Sequence, residues 1–496
     1  MSRSLYAVLA GRFGPRIDAM SRRRFLAASM AAGMAGLMSC RTPERSGPAT
    51  GSKRVIVIGA GFSGLICAHE LRAVGYDVLV LEARGRVGGR VVSYTDVAPG
   101  RVVEGGGELI GSNHPTWAAC AEKFGLGWWD VTESEDLEYP ITLGGRALSK
   151  GEAAALYDEM TEGVSGLTAL AAPVNAEEPW ATRGASALDA MSVASWLGEA
   201  AEGGLSPMAV RGLQVMFESD NGVSASRQSL LANLAQIKGG GLGAYWTESE
   251  VYRLKGGNQS LAEILARRLG EDRVKVNLAV AAIRDRGDKM VVMTAGGQVA
   301  EADDVVLTVP PSVWGKIEFS EGLMPEGLRP QMGVNVKHLS AVRDRFWLES
   351  GKAPDSLSDA DIGMTWDATD GQGAGGPACL TAFSGGPAAE RCRARPRASI
   401  NGAYHDALES TYPGFKARVM GSRFMDWPGD AWAGAGYSFP APGEVTRFGP
   451  ILNRPAGGMH FAGEHCCHRF VGYMEGALTS GVEVALRLAK RDGVAI

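Results

Sequence analysis

The stretch RVIVIGAGFSG, residues 54–64, constrains the fold more than any other part of the chain. Residues 54–58 are a short apolar run, the pattern of a parallel strand buried on both faces. Gly59-Ala60-Gly61-Phe62-Ser63-Gly64 follows at once, residues 65–74 have helical spacing, and 77–81 form a second apolar run that ends at Glu82. Gly59 suits the tight turn, Gly61 lets a pyrophosphate approach the backbone, and Gly64 lets helix and strand pack closely. The helix that opens around Ser63 offers free N–H groups and a positive dipole end to phosphates. Glu82 stands 23 residues after Gly59, where a carboxylate can accept bonds from ribose hydroxyls. Strand, turn, helix, strand and acid together predict a Rossmann-like dinucleotide site.

At 496 residues the chain exceeds what one core usually serves, so two intertwined domains are expected. The net charge of -5 and the pI near 5.9 carry no basic footprint for a nucleic acid. Glycine, at 68 residues, is about double its usual share, which suggests tight turns and backbone held close to a ligand. The cysteines at 40, 67, 120, 379, 392, 466 and 467 include no C-x-x-C pair. The run His465-Cys466-Cys467-His468 looks like a metal box, but four adjacent residues cannot converge on one tetrahedral ion without severe strain, so no metal is predicted.

The first 24 residues hold six arginines and one acid, Asp18, and residues 25–39 carry no charge. That uncharged run is too short to span a bilayer comfortably and has the layout of a signal peptide. Ser21-Arg22-Arg23-Arg24-Phe25-Leu26 resembles the twin-arginine export motif. Leu37-Met38-Ser39-Cys40 resembles a lipobox, in which Cys40 would carry a lipid anchor. Met20 could serve as the initiator in place of Met1. The expected location is the periplasm, or the outer side of the cytoplasmic membrane if the protein is tethered there, with the twin-arginine translocase as a partner. Residues 41–53 read as a polar Pro/Gly/Ser tether. Removing Cys40 leaves six cysteines, which in an exported protein permits disulfides without requiring them.

LEARGRVGGRVVS, residues 81–93, resembles the segment after the second strand in the flavin amine oxidase family, which includes monoamine, polyamine and L-amino acid oxidases. The resemblance implies FAD, with Ala83 and Arg84 in that segment and Gly88-Gly89-Arg90 running along the pyrophosphate. It covers nearly the whole mature chain. EGGGELIGSNHP (104–115) is similar to the segment beneath the flavin ring, with Gly107 and Glu108 at the cofactor. Residues 252–270 match the piece that re-enters the FAD domain. Residues 274–283 look like a strand whose backbone holds the adenine near Val280, and 302–314 like the strand that leaves. GMHFAGEHCCHRFVGYMEGALTSG (458–481) supplies Gly463 and Glu464 at the ribityl phosphate, then a helix opening at Gly472-Tyr473-Met474. A helix N-terminus aimed at the flavin's pyrimidine edge stabilises the negative charge of the reduced ring.

The expected fold class is therefore α/β: a discontinuous Rossmann-like FAD-binding domain and a mixed α+β substrate domain with a helical insertion. After residues 1–40 and the tether, the FAD domain takes 54–130, 246–329 and 446–496. Residues 131–245 have helical spacing, and 330–445 alternate in a way that suggests a sheet.

The family's chemistry implies hydride transfer from the carbon bearing a neutral amine to flavin N5, reoxidation by oxygen to hydrogen peroxide, and hydrolysis of the imine to release ammonia. Tyr437 and Tyr473 match its aromatic cage, and Lys337 sits where the family holds a water against N5. The segment beneath the flavin reads Glu108-Leu109-Ile110, without the arginine that many L-amino acid oxidases use for the substrate carboxylate. Either another residue such as Arg469 binds a carboxylate, or the substrate is an amine without one. Glu108 could face a distal ammonium or hydrogen-bond the flavin or backbone. Monoamine oxidases attach FAD through a cysteine that here is Gly436, so non-covalent FAD is expected, with Cys466 and Cys467 the plausible substitutes. The substrate is expected to be a small amine or L-amino acid and the acceptor oxygen, in a chain that could form a homodimer. The alternatives are a monoamine or polyamine oxidase or dehydrogenase without carboxylate recognition, a desaturase of the same fold, and an electron-transfer flavoprotein.

Overall fold

The computed structural model describes residues 5–14, 19–38, 52–131 and 137–494. Cys40 and residues 41–51 of the tether lie outside the described residues. Of residues 19–25, which hold the arginine triplet, the backbone alone is described, within the helix Ala19–Gly36. Among the described residues no helix is long and apolar enough to cross a membrane. The six described cysteines are buried and unpaired with one another.

Arg54–Ile58 is the central strand of a five-stranded parallel sheet ordered Met459–Phe461, Asp304–Leu307, Arg54–Ile58, Asp77–Leu81, Val274–Lys275. Val55 to Ile58 are all buried, as an unbroken apolar run on a central strand requires. Three distant stretches of chain thus return to one sheet. The helix Phe62–Ala73 crosses the C-terminal helix Met474–Arg491 so closely that a Cβ on Gly481 would strike the Ser63 carbonyl.

A second, seven-stranded sheet is ordered Val419–Asp426, Asn335–Val342, Ala378–Gly385, Met364–Asp367, Ser356–Ser358, Ile141–Leu143, Arg146–Ala147. The last two strands fall within 131–245, so that stretch is not wholly helical. Its helices include Lys150–Ala171, which begins with a capping box of Ser149 and Glu152, and Pro207–Asn221, which ends at a left-handed Gly222. Residues 274–283 are not one strand. Asn277 takes a positive φ of 58°, and the chain passes from Val274–Lys275 in the parallel sheet to Val280–Asp285 in an antiparallel one.

Every position of Asn335–Val342 is buried. Leu339 and Ala341 pack in the core shared with the helical insertion, and Val336 and Val342 in the core beneath the helix Ile400–Thr411. A strand covered on both faces has no polar side to alternate with, which hides the orientation of Lys337 from a sequence pattern.

Asp304 ties the parallel sheet to the C-terminal helix. It is 2% exposed and accepts two hydrogen bonds of 2.7 Å from Arg491, and His460 Nε2 lies 3.1 Å away. Burial alone would raise its pKa, but the bonds from Arg491 and His460 pull it down to about 2. A carboxyl lowered from 3.8 to about 2 contributes stability above the first value and loses it as the pH falls through the second. Asp304→Asn should therefore cost about 1.5–3 kcal/mol in urea unfolding at neutral pH. The gap to the parent protein should close as the pH is lowered to about 2; a constant gap would contradict the role assigned to Asp304.

Candidate active site

Empty space of about 1590 Å³, its open mouth included, runs from the glycine turn to a pair of tyrosines. At the turn Gly59 adopts φ 107°, and a Cβ there would lie 2.8 Å from Thr308 Oγ1. A Cβ on Gly61 would meet nothing within 4 Å, so the backbone lies open to the cavity at this point. Gly61 caps the helix Phe62–Ala73 without a side-chain bond, which leaves the first N–H groups free for phosphate oxygens. Gly64 does not reach the cavity; it packs behind the turn, where a Cβ would strike the Gly59 carbonyl.

Ser63, Glu82 and Ala83 line the same wall. Glu82 is oriented by bonds of 2.8 Å from the Ala60 and Arg84 amides. Arg84 also lines it and is held by Asp430 through two bonds of 2.5 and 2.8 Å. Gly89, Arg90 and Gly107 follow along the cavity, and Val280 lines it from the antiparallel sheet. An exposed backbone turn, an open helix N-terminus and an oriented carboxylate suit a dinucleotide, so these residues fit FAD. Sequence reasoning missed Trp427 and Trp432, which also line the cavity.

Glu464 organises the far end. It is 4% exposed, and Oε1 accepts from Arg90 Nη1 at 2.9 Å and the Ser438 amide at 3.1 Å. Oε2 accepts from Ser438 Oγ at 2.6 Å and the Gly472 amide at 2.8 Å. Burial would raise this carboxyl's pKa, but Arg90 and the other donors hold it below the ordinary value. The neighbouring Gly463 amide donates to Ser480 Oγ at 2.9 Å. Tyr437 precedes Ser438 and Tyr473 follows Gly472, so one carboxylate brings both rings to the same cavity.

Tyr437 accepts a 2.8 Å bond from Asn335 Nδ2. Tyr473 packs edge-on against His114 and Phe470. Burial raises both phenols well above their ordinary pKa, so they remain neutral. Tyr473 also caps the helix Met474–Arg491 without a side-chain bond. Its free N–H groups open beside Met474, whose sulfur sits against Gly107.

Lys337 lines the cavity at 4% exposure and is not a solvent-facing strand residue. Its Nζ donates to the Gly106 carbonyl and to Glu108 Oε2, both at 2.8 Å. Glu108, expected at the cofactor, does not line the cavity. It is fully buried, and its other oxygen accepts from Arg253 Nε at 3.0 Å and Trp366 Nε1 at 2.8 Å. Lys337 and Arg253 outweigh burial and keep this carboxylate ionised. With its oxygens engaged by these donors, Glu108 has no face left for the flavin or a distal ammonium. Arg253 and Trp366 were missed because each lies in a short strand far away in sequence, with no motif to mark it.

Arg469, the other candidate for a substrate carboxylate, lies away from the cavity. It pairs with Glu177 at 3.0 Å and Glu483 at 2.7 Å. Cys466 and Cys467 do not line the cavity either. Burial raises Cys466 well above its ordinary range and Cys467 to about 12, so neither supplies a thiolate. Gly436 lines the wall and has no side chain with which to form a covalent attachment. Acid precipitation of the holoprotein should therefore leave the yellow colour in the supernatant; colour in the pellet would show a covalent link.

The family model described as flavin containing amine oxidoreductase matches residues 62–489. The flavin-containing amine oxidase of Danio rerio is 29% identical over 457 residues, 86% of this chain and 84% of its own length. An L-amino acid dehydrogenase of Synechocystis sp. is 26% identical over 459 residues, 87% of this chain and 93% of its own. The solved structure of cyclohexylamine oxidase from Brevibacterium oxydans superposes with a TM-score of 0.80 at 26% identity, covering 89% of this chain and all of that one. With the nucleotide turn, the open helix N-termini and the tyrosine pair in one cavity, the chain belongs to the flavin-containing amine oxidoreductases, enzymes whose cofactor is FAD.

Proposed function

We propose that this chain oxidises a primary amine that carries no α-carboxylate. One observation supports this over an L-amino acid: the basic side chains lining the cavity are committed elsewhere or exposed. Lys337 is tied to Glu108 and Gly106, Arg90 to Glu464 and the Gly436 carbonyl, and Arg84 to Asp430. Lys316 is exposed and stands over the Trp432 ring. An α-carboxylate would find only the exposed Lys316 without an acidic partner, and a carboxylate held away from it would be costly to desolvate.

FAD, held along the Gly59 turn, Glu82 and Arg90, would supply the two-electron chemistry: removal of hydride from the carbon that bears the amine, with oxygen as the final acceptor. Tyr437 and Tyr473 flank the amine with aromatic faces and hold its carbon in line. The carboxylates along the cavity, Glu82 and Glu464, are engaged by backbone and side-chain donors, so neither is poised to protonate the amine. The open N-terminus of Met474–Arg491 favours the negative charge that arrives with the electrons. Lys337, fixed by Glu108, holds a donor towards the cavity for the water or oxygen that follows. The tyrosine pair favours this reading over a desaturase, which needs no amine cage.

Anaerobic flavin bleaching by an amine and by its α-carboxylated counterpart tests the proposal. The amine should bleach the flavin faster, and Tyr473→Ala should slow bleaching on the order of a hundredfold while FAD remains bound. Faster bleaching by the amino acid would overturn it.

We further propose export of the folded holoprotein by the twin-arginine route, on the motif at residues 21–26. Replacing Arg22, Arg23 and Arg24 with lysine should leave active yellow protein in the cytoplasm; unchanged export would refute it.

A further inference from the structure

Lys337 is held from three sides. An ammonium has three N–H donors. Two of them meet the Gly106 carbonyl and Glu108 Oε2 at 2.8 Å, and Nζ stands 5.3 Å from the centre of the Trp366 ring. The ladder of the seven-stranded sheet sets that ring in place. Lys337 pairs with Phe383 and Phe383 with Met364, so Trp366, two residues further along its strand, lies on the same face. Among the described residues the third donor of Lys337 meets no acceptor, and the side chain lines the cavity. Glu108 is held in turn. Its Oε1 accepts from Arg253 Nε at 3.0 Å and Trp366 Nε1 at 2.8 Å. Its backbone is pinned by Asn258 Nδ2, which donates to the Glu108 carbonyl at 2.7 Å. Arg253, Trp366 and Glu108 are all buried.

We infer that Glu108, Arg253 and Trp366 are positioning residues for Lys337, which together aim its one unengaged N–H into the cavity. This rests on the amine-oxidising reading above and bears on its second half, the reaction with oxygen. In that half-reaction O2 takes two electrons and two protons from the reduced cofactor and leaves as hydrogen peroxide. Negative charge develops on the oxygen as the electrons arrive, and a fixed cationic donor stabilises it without having to reorganise. A lysine left to itself is a point charge on a flexible stem, with rotatable donors. Glu108 alone would not fix it, because a carboxylate held through one oxygen can turn about its last bond. Arg253 and Trp366 hold Oε1, so Oε2 stays at Nζ and the ammonium keeps one orientation. Burial opposes an ionised Glu108, and the charges of Lys337 and Arg253 overcome it. Arg253 therefore serves the clamp twice, as a donor that orients the carboxylate and as a charge that keeps it an acceptor.

The test measures the two half-reactions of the holoenzyme separately. Arg253→Met and Trp366→Phe should each slow reoxidation by oxygen at least about tenfold, within the roughly hundredfold that a shift of about 1 Å can cost. Anaerobic bleaching by the amine should fall much less. Arg253→Lys, which keeps the charge and a donor, should recover part of the loss. The flavin midpoint potential separates alignment from driving force. Arg253→Met removes a positive charge and should lower that potential, and slower reoxidation of a more strongly reducing flavin is not a loss of driving force. Trp366→Phe removes one N–H and no charge, so it should leave the potential where it was; it decides the case if Arg253→Met fails to fold. In a Lys337→Met background neither substitution should slow reoxidation further. Unchanged reoxidation in the single variants, or a further loss in the Lys337→Met background, would overturn the positioning role and leave the amine-oxidising reading intact. So would reoxidation that Lys337→Met itself does not slow. A flavin that no amine reduces would overturn both.

Discussion

The carboxylate of Glu464 is the constraint on which the site depends. Four donors converge on two oxygens, and they come from three stretches of chain: Arg90 after the second strand, Ser438 in the loop after the second sheet, and Gly472 before the last helix. A buried carboxylate with fewer donors would be a liability. Satisfying it draws the pyrophosphate segment, Tyr437 and Tyr473 to one point. The aromatic pair is thus positioned through the backbone beside each ring, and the rings themselves need no direct contact.

A second buried carboxylate, Glu108, does comparable work beneath the cavity. Lys337 and Arg253 bring two positive charges to it and Trp366 adds a neutral donor. Bound FAD would lie above this network, with Lys337 as the cation that reaches the cavity wall. Arg253 also reaches Asp370 at 4.0 Å, so Glu108 shares that cation with a second carboxylate. Engaging Lys337 in this network is what supports the proposed preference for an amine without a carboxylate.

The nucleotide half was legible in the sequence because its signals are local. A strand, a glycine turn, a helix and an acid occupy 54–82 without interruption, and each has a steric or electrostatic reason for its place. The tyrosines and Lys337 were legible through family resemblance, since nothing in the pattern around them fixes their direction. Burial on both faces erased the alternation around Lys337, and a positive φ at Asn277 divided what read as one strand. The partners of Glu108 and Glu464 were beyond reach. Arg253 lies 145 positions from Glu108, and Arg90 lies 374 from Glu464. Such pairs are set by how the sheets fold together, and a single sequence carries no mark of them. The misplacement of Glu108 at the cofactor followed directly: its segment does pass under the cavity, but its side chain turns the other way, towards cations supplied from elsewhere.

The same separation bears on how the protein can acquire its cofactor. The central strand at 54–58 is flanked by strands from 304–307 and 77–81, with 459–461 and 274–275 at the two edges. Ser63 at the start of the first helix lies 3.3 Å from Ser480 in the last, across 417 positions. No part of the chain short of its C-terminal helix therefore contains a finished dinucleotide site. Threading the chain through a membrane unfolded would require assembly of these three stretches on the far side, away from where dinucleotides are made. A route that carries folded proteins removes that difficulty, because sheet, helices and cofactor can close together before transport. A site assembled from both ends of the chain favours completing the holoprotein first, which is the physical reason behind the proposed folded export.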